Sequence, residues 1–111
     1  YETSSFYSPL ISRGMMAVVE TDSTIRAFAL KTLQESWVSD EYQNRELSNA
    51  VNFKGSLVVG DFEGHIHFID LLNGRTLSRK KVSKKPIKTI FSRSDRLYVV
   101  DEAFNLISIN I

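Results

Sequence analysis

The sequence predicts an all-β fold, a β-propeller piece made of four-stranded antiparallel blades, and three observations predict it. First, one segment recurs. "MAVVETDSTIRAFAL" (Met16 to Leu30) falls without a gap on "LVVGDFEGHIHFIDL" (Leu57 to Leu71), 41 residues further on, and that falls on "LYVVDEAFNLISINI" (Leu97 to Ile111), another 40 on. A period of about 40 to 45 residues is that of a four-stranded propeller blade. Second, each copy holds short β-branched runs (Val18-Val19, Val58-Val59, Val99-Val100) bounded by polar turn residues. Third, these runs are apolar at nearly every position, as expected of sheets covered on both faces.

The strands follow in order. The first copy reads "SPLIS" (Ser8 to Ser12) as inner strand, then "MMAVVE", "TIRAFAL" and "ESWVSD". The second reads "NAVNF" (Asn49 to Phe53), "SLVVGD", "HIHFIDL" and "TLSRKKV". The third supplies "KTIFS" (Lys88 to Ser92), "RLYVVD" and "NLISINI", without a fourth strand. The expected organisation is one domain with a blade over residues 4–40, a second over 46–84 and an incomplete closing blade over 86–111. Asn73-Gly74 is the strongest hairpin signal, since both residues tolerate the positive φ of a type I′ turn, and Glu63-Gly64 is a second. From Thr32 to Ala50 the Leu33/Trp37 spacing and the Glu, Gln and Arg content compete for helix. The gapless register on either side favours strand.

Composition narrows the function classes. The 111 residues are 42% hydrophobic and 24% charged with a net charge of +1, which gives no general reason to expect nucleic acid. There is no cysteine, which excludes disulfides, thiolate metal sites and cysteine nucleophiles within this chain. No apolar run approaches the roughly 18 residues of a membrane span.

The stretch "LVVGDFEGHIHFIDLLNGRTLSRKKV" (Leu57 to Val82) resembles the last complete blade of the BamB family, lipoprotein subunits of the bacterial outer-membrane β-barrel assembly machine. The wider group is the PQQ-like propeller repeat, whose blades carry an acidic or Asn–Gly–basic turn and then often a Trp. Here the turn is "DLLNGR" with Ser78 in the Trp column, while the first copy keeps Trp37 but has Leu33 in place of Gly. The resemblance implies the C-terminal blades of an eight-bladed ring and a non-catalytic scaffold on the periplasmic side of the outer membrane. It also implies binding to the POTRA domains of BamA and to nascent outer-membrane proteins. The lipid anchor of such proteins is N-terminal, outside this chain. No partner-binding residue carries over. An incomplete ring would expose sheet faces and edges, so self-association is expected of the isolated chain.

Several residues invite a chemical reading. His65 and His67 lie two apart on a strand, so both point to one face and would bind zinc if a third ligand converged. The aligned residues, Thr24/Arg26 and Asn105/Ile107, show that the column accepts anything polar, which favours a structural role. Glu20, Asp61 and Asp101 end equivalent strands, and short carboxylates there accept turn N–H groups. As they sit on different blades, they are not expected to form a calcium site. "RKKVSKKPIK" (Arg79 to Lys88) holds six basic residues, either a solubilising edge or a contact for anionic lipid or an acidic partner. Trp37 is expected to fill space between blades. No nucleophile elbow, phosphate loop or metalloprotease helix is present. The expectation is therefore no catalytic, cofactor or metal residue and no cofactor. The alternative is part of a PQQ-dependent quinoprotein dehydrogenase, although that family's vicinal cysteine pair and calcium site find no match here. A WD-type interaction propeller is a third reading, but its "GH…WD" signature is missing.

Overall fold

The computed structural model describes residues 9–20, 22–43, 45–93 and 95–109. Within them run eleven strands and no helix: β1 (Leu10–Ser12), β2 (Met15–Val19), β3 (Ile25–Ala29), β4 (Glu35–Ser39), β5 (Val51–Phe53), β6 (Ser56–Gly60), β7 (His65–Asp70), β8 (Thr76–Lys81), β9 (Ile87–Arg93), β10 (Arg96–Asp101) and β11 (Leu106–Ile109). They form three antiparallel meanders, in the orders β1-β2-β3-β4, β5-β6-β7-β8 and β11-β10-β9. Ser8, Ser94, Asn110 and Ile111, parts of the predicted strands or of the turn between two of them, lie outside the described residues.

The repeat extends to register. Met15 faces Ala29 and Val19 faces Ile25. Their counterparts Ser56 with Asp70 and Gly60 with Ile66 do the same, and so do Leu97 with Ile109 and Val100 with Leu106. Even the irregularity recurs: the β3–β4 ladder slips between Ala27 and Phe28, and β7–β8 slips between the equivalent Phe68 and Ile69.

The Asn73-Gly74 turn differs from expectation. Positive φ at both central residues, the mark of a type I′ hairpin, occurs at Arg13-Gly14 (53° and 74°) and Lys54-Gly55 (51° and 84°). At Asn73-Gly74 only the glycine has positive φ, 77°. That loop is longer: Gly74 N–H donates to the Asp70 carbonyl (2.7 Å) and Asp70 N–H to that of Arg75 (2.8 Å). A four-residue loop needs one left-handed residue, not two. The first blade repeats the loop, with Leu33 N–H to the Ala29 carbonyl (2.6 Å) and Ala29 N–H to that of Gln34 (3.0 Å). The segment with helical composition, Thr32 to Ala50, holds β4 and then, in its described residues, an irregular connection; Asn44 lies outside the described residues. Pairing with β3 overrides a weak helix propensity there.

Sheets stack face to face. Met15, Ala17, Val19, Ile25 and Ala27 of the first pack against Leu57, Val59, Ile69 and Leu71 of the second. Val58, Ile66 and Phe53 leave the second sheet's other face and meet Ile87, Ile90, Leu97, Val99 and Ile109 of the third. Successive β6 residues thus point into different cores, which is why Leu57-Val58-Val59 is apolar throughout. All three are fully buried, and each such side chain contributes about 1.5–3 kcal/mol relative to exposure.

Candidate functional site: the corner around Asp61

Three equivalent corners carry the acids singled out in the sequence. Glu20, Asp61 and Asp101 each donate their own N–H to the carbonyl four residues on, in Thr24 (2.9 Å), His65 (2.9 Å) and Asn105 (3.2 Å). The fourth residue of each corner is left-handed: Ser23 (71°), Gly64 (86°) and Phe104 (63°). Asp61 Oδ1 accepts the N–H groups of Glu63 (2.9 Å) and His65 (3.0 Å). Asp101 Oδ1 accepts those of Ala103 (3.0 Å) and Asn105 (2.9 Å). Glu20, one methylene longer, departs from this pattern. It pairs with Arg26 Nε at 2.6 Å, and Asp22 receives the Thr24 N–H at 3.0 Å instead.

The second oxygens diverge. Asp101 Oδ2 accepts from Ser83 Oγ (2.7 Å) and Asn105 Nδ2 (3.2 Å). Asp61 Oδ2 meets His67 Nε2 at 2.7 Å and Arg45 Nη1 at 3.2 Å. Burial pushes the Asp61 carboxyl up, but the His67 hydrogen bond and the two turn amides outweigh it, and the group sits below the usual carboxylate range. Burial pushes His67 down, only partly offset by Asp61, with Arg45 and Arg79 adding in the same downward direction. At neutral pH a neutral His67 therefore donates its Nε2–H to a charged Asp61, since an ionised carboxylate only accepts.

His65 and His67 do share a face, their ring centroids 6.3 Å apart. His65 Nδ1 lies 3.9 Å from Asp61 Oδ1, beyond a hydrogen bond, and has no partner. Among the described residues no group of three or more His, Asp or Glu side chains is placed to hold a metal ion. The other side of the His67 ring touches Tyr42, with centroids 4.8 Å apart. The Tyr42 hydroxyl hydrogen-bonds Thr76 Oγ1, which reaches Glu41 Oε2 at 3.4 Å. Arg45 also pairs with Glu63 at 3.2 Å.

Sequence reasoning missed Tyr42, Arg45 and Ser48, which occupy the connection outside the aligned copies, and it read Asn49 as the start of a strand that begins only at Val51. Leu47 N–H donates to Ser23 Oγ in the first sheet's corner (3.0 Å). Ser48 exchanges bonds with Gly60 of the second, N–H to carbonyl at 2.8 Å and Gly60 N–H to Ser48 Oγ at 2.9 Å. Asn49 binds the third: Nδ2 to the Ile90 carbonyl (2.9 Å), with Oδ1 accepting from Ile90 N–H (3.1 Å) and Thr89 Oγ1 (2.9 Å). Trp37 links the first blade to the second through Nε1–H to the Leu71 carbonyl at 2.8 Å. The basic residues Arg79 to Lys81 form part of β8, the outer edge of the second sheet, where Arg79 lies opposite His67 and Lys81 opposite His65.

With this geometry in view the comparisons are informative. No family model matches the chain. The outer membrane protein assembly factor BamB of Francisella tularensis is 32% identical over 75 residues, which is 68% of this chain and 16% of that protein. The crystal structure of BamB from Moraxella catarrhalis superposes with a TM-score of 0.85 at 24% identity, over 96% of this chain and 32% of that one. The chain is BamB-like. It spans about a sixth of the length of that Francisella relative. The quinohemoprotein alcohol dehydrogenase of Comamonas testosteroni matches in fold as well, with a TM-score of 0.67 at 17% identity over 83% of this chain and 16% of that one. The three meanders of the BamB-like chain are thus stacked β-propeller blades.

Proposed function

We propose that the BamB-like chain is a non-catalytic scaffold that serves outer-membrane protein assembly. In this reading residues 4–40, 46–84 and 86–111 are blades of one propeller domain. It acts from the periplasmic side through the BamA POTRA domains and nascent outer-membrane proteins, and is lipid-anchored outside this segment. The observation that carries it is how the polar residues are used. Asp61 is fully buried with both oxygens engaged, and the Leu47–Asn49 connection bonds to all three blades. Such a network stiffens the blades, and rigid blades hold loops in place for a partner. The same geometry supports self-association of the isolated chain. Phe91 (41% exposed) and Leu106 (65%) lie on the third sheet's far face, open to another blade.

The test is binding of the purified chain to a BamA POTRA array by biolayer interferometry. Saturable binding is expected, and none at about 100 µM would count against the reading. The quinoprotein alternative draws support from the dehydrogenase likeness in fold. Titration with PQQ and calcium separates the two, since a bound chromophore would favour the enzyme.

A further inference from the structure

We propose that β8 is a docking edge for an extended acidic polypeptide segment. The strand is outermost in its sheet, with no neighbour on its outer side among the described residues. All six of its residues are exposed. Its backbone therefore presents a free row of N–H and C=O groups, the template on which an added strand forms. Arg79, Lys80 and Lys81 lie in the strand, and Lys84, Lys85 and Lys88 follow, all exposed. Among the described residues no carboxylate forms an ion pair with Arg79, Lys81, Lys84 or Lys85.

The repeat supplies an internal control. In the first blade the equivalent outer strand is β4, which carries Glu35 and leads into Asp40 and Glu41, with no basic residue from Glu35 to Glu41. A basic rim is thus not a requirement of the blade, and the second blade has it where the first has the opposite charge. Lysines along an edge repel a second basic strand and disfavour an apolar one. The same charges attract an acidic strand, so the edge discriminates by charge while its backbone supplies the pairing.

Register favours a polypeptide over a membrane surface. Arg79 lies opposite His67 and Lys81 opposite His65, so both project from one face, while Lys80 lies opposite Ile66 and projects from the other. Cations alternating between two faces cannot all meet one plane of headgroups. They flank an extended chain laid along the edge, whose side chains alternate in the same way. The inference depends on this edge alone and stands whether or not the chain serves outer-membrane protein assembly.

The test uses the whole chain and a fluorescein-labelled ten-residue peptide alternating Glu and Val, read by fluorescence anisotropy. Two further versions are N-methylated at alternate residues, so that only one turns its methyl groups toward the edge. We expect saturable binding of the parent peptide and of one methylated version, weakened at least tenfold by R79E/K81E. The milder R79Q/K81Q weakens it in the same direction and decides the matter should the reversal unfold the chain, which circular dichroism reports. Equal binding of both methylated versions would mean simple polyanion adhesion and overturn the proposal. So would absence of peptide binding, or Arg79/Lys81-dependent binding to phosphatidylglycerol vesicles alone.

Discussion

The indole of Trp37 occupies the space that a side chain on Gly74 would need. A Cβ built on that glycine would lie 2.5 Å from the ring, and the glycine's φ is 77°. First blade and second blade thus meet through a side chain on one and the absence of one on the other.

Gly74→Ala should therefore be costly twice over. The left-handed backbone penalises a Cβ and the ring must move, together about 2–4 kcal/mol. Urea denaturation followed by tryptophan fluorescence reads both the stability and the displacement of Trp37. A variant as stable as the parent would show that the contact is not tight.

The first blade places Leu33 at the equivalent point of its loop, with φ of 59° and 68% of its surface exposed. Nothing is gained there from burial, and the backbone is strained. Leu33→Gly should stabilise the chain by about 0.5–1 kcal/mol, the relief of strain less the entropy glycine loses on folding. Thermal unfolding should shift upward by a few degrees, and a downward shift would contradict the reading.

Acid should destabilise the fold in two stages. His67 titrates below its ordinary 6.5 when folded, so the unfolded chain binds that proton first. Stability is full above about pH 6.5 and falls as pH drops from there toward the folded value. Asp61 lies below its ordinary 3.8, so its contribution is present above that value and is lost as pH falls through the lower, folded one. His67→Gln should flatten the first stage and leave the second. Denaturation midpoints measured from pH 7.5 to 3 test this, and an unchanged upper slope in the variant would remove His67 as its source.

Asn49→Ala removes three hydrogen bonds to the third blade, one of them with the amide of buried Ile90. A loss of about 1.5–3 kcal/mol is expected, with much faster hydrogen exchange at Ile90. Exchange unchanged at that amide would mean that water replaces the asparagine without penalty.

Period, strand order and the absence of helix among the described residues from Met16 to Leu30 were legible because burial on both faces leaves a strong apolar signature at each repeat. The roles of Asp61 and Asp101 were legible too, as short acids at strand ends. The contacts of Tyr42, Arg45 and Asn49 were not. Their partners lie far away in sequence, up to 41 residues for Asn49 and Ile90, and nothing local marks a long-range hydrogen bond. The turn at Asn73-Gly74 misled because the dipeptide suits a two-residue hairpin, whereas loop length is set by the bulge beside it at Phe68/Ile69. His67 was visible as a polar residue on a strand, but its pairing with Asp61 depends on the corner folding back by six residues.

Three consecutive amino acids, Leu47, Ser48 and Asn49, clasp three separate fans. Peeling away any one of them tears stitches in a thread shared with its neighbours. A tandem array with only nearest-neighbour seams would melt piecemeal, whereas this one should come apart in a single concerted collapse.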